Sequence, residues 1–407
     1  MDSSKPPLLL LCHRIPYPPD KGDKIRSYNL LIRLARDYRV FLGTFIDDPI
    51  DNAHVEKLKE ICADLFVAQL PKHRKVTRAM LGMLSGESIT VACYRDKPLG
   101  RWARNVVQQE RISRVIAFSS ATVPLAEFPE AAFQGCVVDL VDVDSEKWSQ
   151  YAGTMPWPIS TIYKREAGKL LAEEKRIVRK NLNSIFVSSE EAELFVTLAP
   201  ELSEKISVIR NGVDSEYFSL DKLRISPYSE NSKNIVFTGV MSYWPNVDAV
   251  LWFNQHVMPK LLMMDNSWNF WIVGSDPDRR VLGLHGQNNT QVTGRVSDVR
   301  PYLQYAHVSV APMRIARGLQ NKILEAMSMG LPVLASGSAL VGLGCHEAVN
   351  VTPVNEAEEY VDAIMEAGTK LNASCNRDLI LREFSWESSY KQYITLLEQQ
   401  IGADEPK

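Results

Sequence analysis

Short apolar runs punctuate the chain, each followed by a segment with helical spacing. In the first half they are LLLLC (8–12), VFLGTF (40–45), LFVAQL (65–70), RVIAF (114–118), CVVDLV (136–141) and SIFVS (184–188). A polar, irregular stretch follows, SVIRNGVDSEYFSLDKLRISPYSENSKN (207–234). The series then restarts with NIVFTG (234–239), NFWIVG (269–274), TQVTG (290–294), HVSVAP (307–312) and LPVLAS (331–336). Runs of this length without strict alternation predict strands covered on both faces, as in parallel sheets. Their alternation with helical segments predicts βαβ units. Two series predict two doubly wound α/β domains in place of one very wide sheet. The closing segment FSWESSYKQYITLLEQQ (384–400) predicts a helix beyond the last strand, whose Tyr390, Ile394, Leu396 and Leu397 need a surface to pack on.

Length and composition narrow the class. A chain of 407 residues exceeds one ordinary core, and 45% hydrophobic with 23% charged residues is the balance of a soluble globular protein. A formal charge of −3 argues against wholesale nucleic-acid binding. The six cysteines (Cys12, Cys62, Cys93, Cys136, Cys345, Cys375) form no CxxC pair, so neither a metal knuckle nor a disulfide framework is expected. A reduced, cytoplasmic setting fits best. The run Leu8 to Cys12 is too short for a signal-peptide core, and no stretch approaches the length that spans a bilayer.

Three stretches carry candidate chemistry. In HRIPYPPDKGDKIRSYNLLIRLARD, right after the first strand, Gly22 precedes a helix expected to start near Asp23. Free N–H groups there suit a phosphate, while a rigid βα turn with surface charges reads equally well. With one glycine, neither the dinucleotide fingerprint nor the P-loop pattern is met. In RIARGLQNKILEAMSMGLPVLAS (314–336), Lys322 and Glu325 lie on neighbouring helical rows and Arg314 in the loop before them. The carboxylate suits two ribose hydroxyls and the cations a diphosphate; an i,i+3 pair on a solvated face is the plain alternative. In DLVDVDSEKW, Asp142 and Asp144 mimic a metal-binding DxD. Following a strand in a doubly wound pattern, they read instead as cleft carboxylates near the acceptor, one able to take a proton from the attacking hydroxyl, or as helix caps.

These residues lead to a resemblance. NKILEAMSMGLPVLAS resembles the E-A-M-A-x-G-x-P-V signature of family 4 (group 1) glycosyltransferases, which have the GT-B fold. IRNGVDSEYF (209–218) is similar to that group's N-G-V-D hinge segment, and FTGVMSYWPNVDAVLWF (237–253) to its G-x-M-x-x-x-P-N-x-D variant, with Gly239 as the glycine. PYPPDKGDKIRSYNLL together with DLVDVDSEKW resembles the sugar transferases of the exosortase/PEP-CTERM exopolysaccharide system. The likeness runs from about residue 8 to residue 400.

The resemblance implies two facing Rossmann-like domains. Residues 1–210 form the acceptor side, completed by a helix over 386–402 that crosses back, and residues 211–385 form the donor domain. It further implies a nucleotide-diphosphate sugar as donor, a glycan or lipid-linked hydroxyl as acceptor, retention at the anomeric carbon and no metal or other cofactor. Glu325 is expected to grip the ribose, Arg314 and Lys322 to stabilise the departing diphosphate, and Gly22 to approach it from the first domain. The first glutamate of the family's E-x7-E motif is replaced by Arg317, expected either to join the phosphate clamp or to pair with a carboxylated sugar; Gly318 beside it is counted with the nucleotide-binding residues. Val240 and Asn246 stand where the family often has cations. A nucleotide-sugar epimerase of the same fold and a non-catalytic binding scaffold are the alternatives. Two basic segments, PKHRKVTRAMLGML (71–84) and STIYKREAGKLLAEEKRIVRK (160–180), are solvated faces or a peripheral contact with the cytoplasmic membrane face.

Overall fold

A computed structural model describes residues 4–19, 22–127, 136–181, 183–316, 320–343, 351–367 and 374–402. The chain divides into two compact units, residues 1–210 with 389–407, and residues 211–388.

In the first unit, β1 (Pro7–Cys12), β2 (Arg39–Ile46), β3 (Asp64–Gln69), β4 (Arg114–Phe118), β5 (Val137–Val141), β6 (Asn183–Phe186) and β7 (Ile206–Val208) form one sheet in the order β3-β2-β1-β4-β5-β6-β7. Every pairing is parallel. The run LLLLC shows why. Leu9 and Leu11 enter one apolar cluster, Leu8, Leu10 and Cys12 the cluster on the opposite face. A strand buried on both sides has no use for alternation.

The second unit repeats the plan with β8 (Lys233–Thr238), β9 (Trp268–Val273), β10 (Thr290–Gly294), β11 (Val308–Ala311), β12 (Val333–Ala335) and β13 (Val351–Pro353), ordered β10-β9-β8-β11-β12-β13 and again parallel. Two Rossmann-like parallel sheets are therefore present, as the apolar runs predict. All eleven runs correspond to strands. β7 and β13 were not foreseen; each has three residues, and β13 is an edge strand ending in proline, where the lost donor is tolerated.

The final helix, Trp386–Gly402, finds its surface on the first unit. Tyr390, Tyr393 and Leu397 enter the same cluster as Leu8 and Leu10, with Ile394 and Leu396 packed beside them. A fully buried ion pair pins it: Arg26 donates from Nε to Asp139 Oδ2 at 2.8 Å, and the Tyr393 hydroxyl donates to the same carboxylate. Burial drives the Tyr393 phenol well above its ordinary pKa.

The described thiols Cys12, Cys62, Cys93 and Cys136 are buried and unpaired. Among the described residues no helix is long and apolar enough to cross a membrane.

Candidate nucleotide-sugar site

In doubly wound sheets, ligands gather at the carboxyl ends of strands where the order reverses. In the second unit that reversal lies between β8 and β11. A cavity of about 610 Å³ opens there. Thr238, Gly239 and Val240 reach it from the end of β8, Gly274 and Ser275 from β9, Arg295 and Val296 from β10. Gln320, Asn321, Lys322 and Glu325 come from the start of the helix Asn321–Ser328, and Tyr217 from the polar seam.

The floor is main chain. Gly274 has φ +155°, and a Cβ built there would lie 1.7 Å from the Gly239 carbonyl oxygen. The Gly239 N–H in turn donates to the Val273 carbonyl at 3.1 Å. Two strand-end loops thus touch backbone to backbone, leaving their polar edge to a ligand.

Lys322 is 9% exposed. Its ammonium donates to Asn246 Oδ1 at 2.5 Å and lies 4.1 Å from the centroid of the Phe237 ring. Burial with no full counter-charge lowers its pKa from 10.5 to about 7, with Glu325 opposing the fall. Burial likewise lifts Glu325 to about 7, against the pull of Lys322. Thr238 Oγ1 and Asn321 Oδ1, both in the cavity, are buried without a protein partner. Such groups are costly unless something pairs with them. A phosphate beside Lys322 and sugar hydroxyls beside Glu325 and Asn321 are what this lining can satisfy.

Of the residues singled out in the sequence, Gly239, Lys322 and Glu325 come together here. Arg314 does not line the cavity. Its guanidinium is forked onto Asp248, donating from Nε at 2.8 Å and from Nη2, and Asp248 lies on the helix Trp244–His256. That contact raises the Arg314 pKa. Arg317 and Gly318 lie outside the described residues. Among the described residues, the cation that lines the cavity besides Lys322 is Arg295, 3.5 Å from Asp276. A glycine–arginine pair directly after a strand, TGRV, was the signal available for it. Asn246, where a family cation was expected, instead anchors Lys322.

The remaining residues belong to the first unit. Asp142 and Asp144 share one partner: Lys147 donates to Asp142 Oδ2 at 2.7 Å and to Asp144 Oδ1 at 3.0 Å. Burial works against that ammonium, but Asp144 and Asp142 more than restore it and raise its pKa. Asp144 opens the helix Asp144–Thr154, as a helix-start carboxylate does. Gly22 opens the helix Gly22–Asp37 and is exposed, with open space where a Cβ would lie. Asp23 beside it is held by Arg14 at 2.6 Å and His13 at 3.3 Å, which draw its carboxyl far below the usual range against the cost of burial. Among the described residues no group of three or more His, Cys, Asp or Glu is arranged to hold a metal ion.

Two parallel Rossmann-like sheets with this topology define the GT-B fold. Solved structures agree. Anabaena HepE in complex with UDP superposes with a TM-score of 0.64 at 17% identity, covering 97% of this chain and 100% of that one. Sucrose-phosphate synthase from Thermosynechococcus elongatus gives 0.66 at 17% identity, covering 98% and 100%. A glycosyltransferase from Rickettsia africae gives 0.64 at 12%, covering 98% and 99%. Residues 232–369, within the second unit, match the family model described as Glycosyl transferases group 1. No curated protein sequence matches this chain.

Proposed function

We propose that this protein transfers a sugar from a nucleoside-diphosphate donor to a hydroxyl acceptor. The observation that carries the reading is the buried Lys322 ammonium beside Glu325, at the mouth of strand ends whose glycine backbones meet. HepE structures hold UDP and UDP-glucose, which makes a UDP-sugar the first donor to try. Glu325 accepts the ribose hydroxyls. Lys322 neutralises the diphosphate as it departs. Fixed cations supply this transition-state stabilisation without a metal. Either Asp142 or Asp144 takes the acceptor proton once Lys147 is displaced. The acceptor is a growing exopolysaccharide or a lipid-linked glycan of the PEP-CTERM type, and the anomeric centre is retained.

A peripheral membrane contact fits the helix Lys72–Leu84, whose Met80 and Leu84 are 60% and 86% exposed next to a basic start. The epimerase reading fares worse, since Lys322 and Glu325 bring no additional acid–base pair around a sugar. The scaffold reading is favoured by one observation, the engagement of Arg314 and of both aspartates in ion pairs.

Thermal-shift measurement with UDP, GDP, ADP and dTDP sugars tests donor binding, because a ligand of the native state raises its melting point. Nucleotide release from the donor that binds then separates transferase from scaffold. UDP-glucose is expected to stabilise the protein and to be slowly hydrolysed. No shift with any of the four classes would sink the proposal.

A further inference from the structure

A second cavity lies in the first unit. It measures about 730 Å³ and sits between the start of the helix Lys97–Glu110 and the 3₁₀ turn Ser120–Leu125 that follows β4. It too occupies the carboxyl-end side of a doubly wound sheet, where ligands bind. Its lining is cationic, with Arg95, Lys97, Arg101 and Arg104 against Asp96 and Glu127. This is unexpected in a chain of formal charge −3.

Both carboxylates are already spent. Asp96 is 8% exposed; its Oδ1 accepts from the Leu99 N–H at 3.0 Å and its Oδ2 from Arg78 at 2.7 Å. Glu127 is taken by Arg176 at 2.6 Å and Lys180 at 3.3 Å. Arg95 pairs with Glu87 at 2.9 Å. Among the described residues, no hydrogen bond or ion pair engages the side chains of Lys97, Arg101 or Arg104.

The placement of those three is unfavourable for the helix itself. Lys97, Arg101 and Arg104 follow an i, i+4, i+7 spacing, so they stack on one face while Leu99, Ala103 and Val106 enter the core. Like charges on adjacent rows repel. Lys97 also lies in the first turn, at the positive end of the helix dipole, where the Asp96 cap is the one carboxylate among the described residues and is already shared with Arg78. A multiply charged anion in the cavity relieves both conflicts at once, meeting guanidinium forks that suit phosphate oxygens.

We infer that the first unit carries a second anion site, formed by Lys97, Arg101 and Arg104 over this cavity, that takes a phosphate or diphosphate group. Two sources share that chemistry, the headgroup of a phospholipid or lipid-linked phosphate and a free phosphate compound. The inference does not depend on the donor reading, because it concerns other residues in the other unit.

The test titrates inorganic pyrophosphate into the full chain by calorimetry, in parallel with Lys322→Met, which lacks the donor-pocket ammonium. Pyrophosphate is expected to bind both. The Arg101→Gln/Arg104→Gln variant should bind it roughly tenfold more weakly, the loss of two charge-assisted contacts, while its melting temperature is not lowered and its response to UDP stays as in wild type. Lys97→Gln alone should weaken binding in the same direction. If UDP itself fails to bind, the donor reading falls and the pyrophosphate result still stands. The inference is overturned if pyrophosphate does not bind, or binds the double variant as it binds wild type. Sedimentation with phosphatidic acid vesicles then assigns the source: reduced sedimentation of the double variant points to a lipid headgroup, and unchanged sedimentation to a soluble anion. Either result upholds a site already seen with pyrophosphate.

Discussion

Replacing Lys322 with methionine should make the protein more stable and unable to hold its donor. Lys322 is 9% exposed, and among the described residues its hydrogen-bond partners are the neutral Asn246 amide and the Met313 sulfur. Its pKa falls from 10.5 to about 7 on folding. At about 1.4 kcal/mol for each tenfold change in proton affinity, the charged form costs the native state about 5 kcal/mol at most. The sign follows from proton counts. Between pH 7 and 10.5 the unfolded chain binds a proton at Lys322 that the folded chain has lost, so stability rises with pH across that window. Below pH 7 both forms are protonated and the full cost applies. Glu325 acts in the opposite sense, with a pKa raised from 4.5 to about 7. Its folded form holds the extra proton between those values, and stability falls as pH rises through them. The two together predict a dip in stability near pH 7. Methionine keeps the stem and removes the charge, so the rise above pH 7 should vanish. Urea unfolding of wild type and Lys322→Met at half-unit steps from pH 5 to pH 10, with UDP affinity measured alongside, checks both halves. Parallel stability curves above pH 7, or undiminished UDP binding in the variant, would refute the reasoning.

Two further outcomes follow from the packing. Gly274→Ala sets a methyl 1.7 Å from the Gly239 carbonyl oxygen, so one loop must move; a loss of about 1–3 kcal/mol and of most UDP affinity is expected, by urea unfolding and calorimetry. Asp139→Ala strands the buried Arg26 guanidinium and frees the Tyr393 hydroxyl, which should cost about 3–5 kcal/mol. Proteolysis should then cleave ahead of the final helix sooner than in wild type, and an unchanged melting temperature would show that this ion pair does not hold it.

The strands were legible because burial on both faces leaves a local signature, an unbroken apolar run, and eleven such runs suffice to define two parallel sheets. β7 and β13 left none, because three residues at a sheet margin are set by their neighbours' free edges and not by their own sequence. The candidate donor cavity was partly legible for a related reason. Gly239 closes a strand run, and Lys322 and Glu325 share one helical turn, so their proximity is built into the chain. Arg295 was visible in principle as the residue after TQVTG. What stayed hidden is pairing at long separation: Lys322 with Asn246, Arg314 with Asp248, and Arg26 with Asp139 are contacts between separate segments that only packing brings together.

That hidden layer changes what Arg314 can do. An arginine read from sequence as a free phosphate clamp is in fact forked onto Asp248, whose side chain is 9% exposed. Pulling the guanidinium away would leave a nearly buried carboxylate without its partner, at a cost of about 1–3 kcal/mol or more for a charged group. A phosphate would have to outbid that. Yet guanidinium carries five N–H donors, and the Asp248 fork engages only Nε and Nη2. Nη1 and the outer N–H of Nη2 lie on the side away from the carboxylate, and the side chain is 58% exposed. Asp248 is therefore better viewed as fixing the direction of Arg314 than as consuming it. Asp248→Asn keeps the shape and weakens that hold, so it should reduce donor affinity through Arg314 while leaving the Lys322 titration near pH 7 in place.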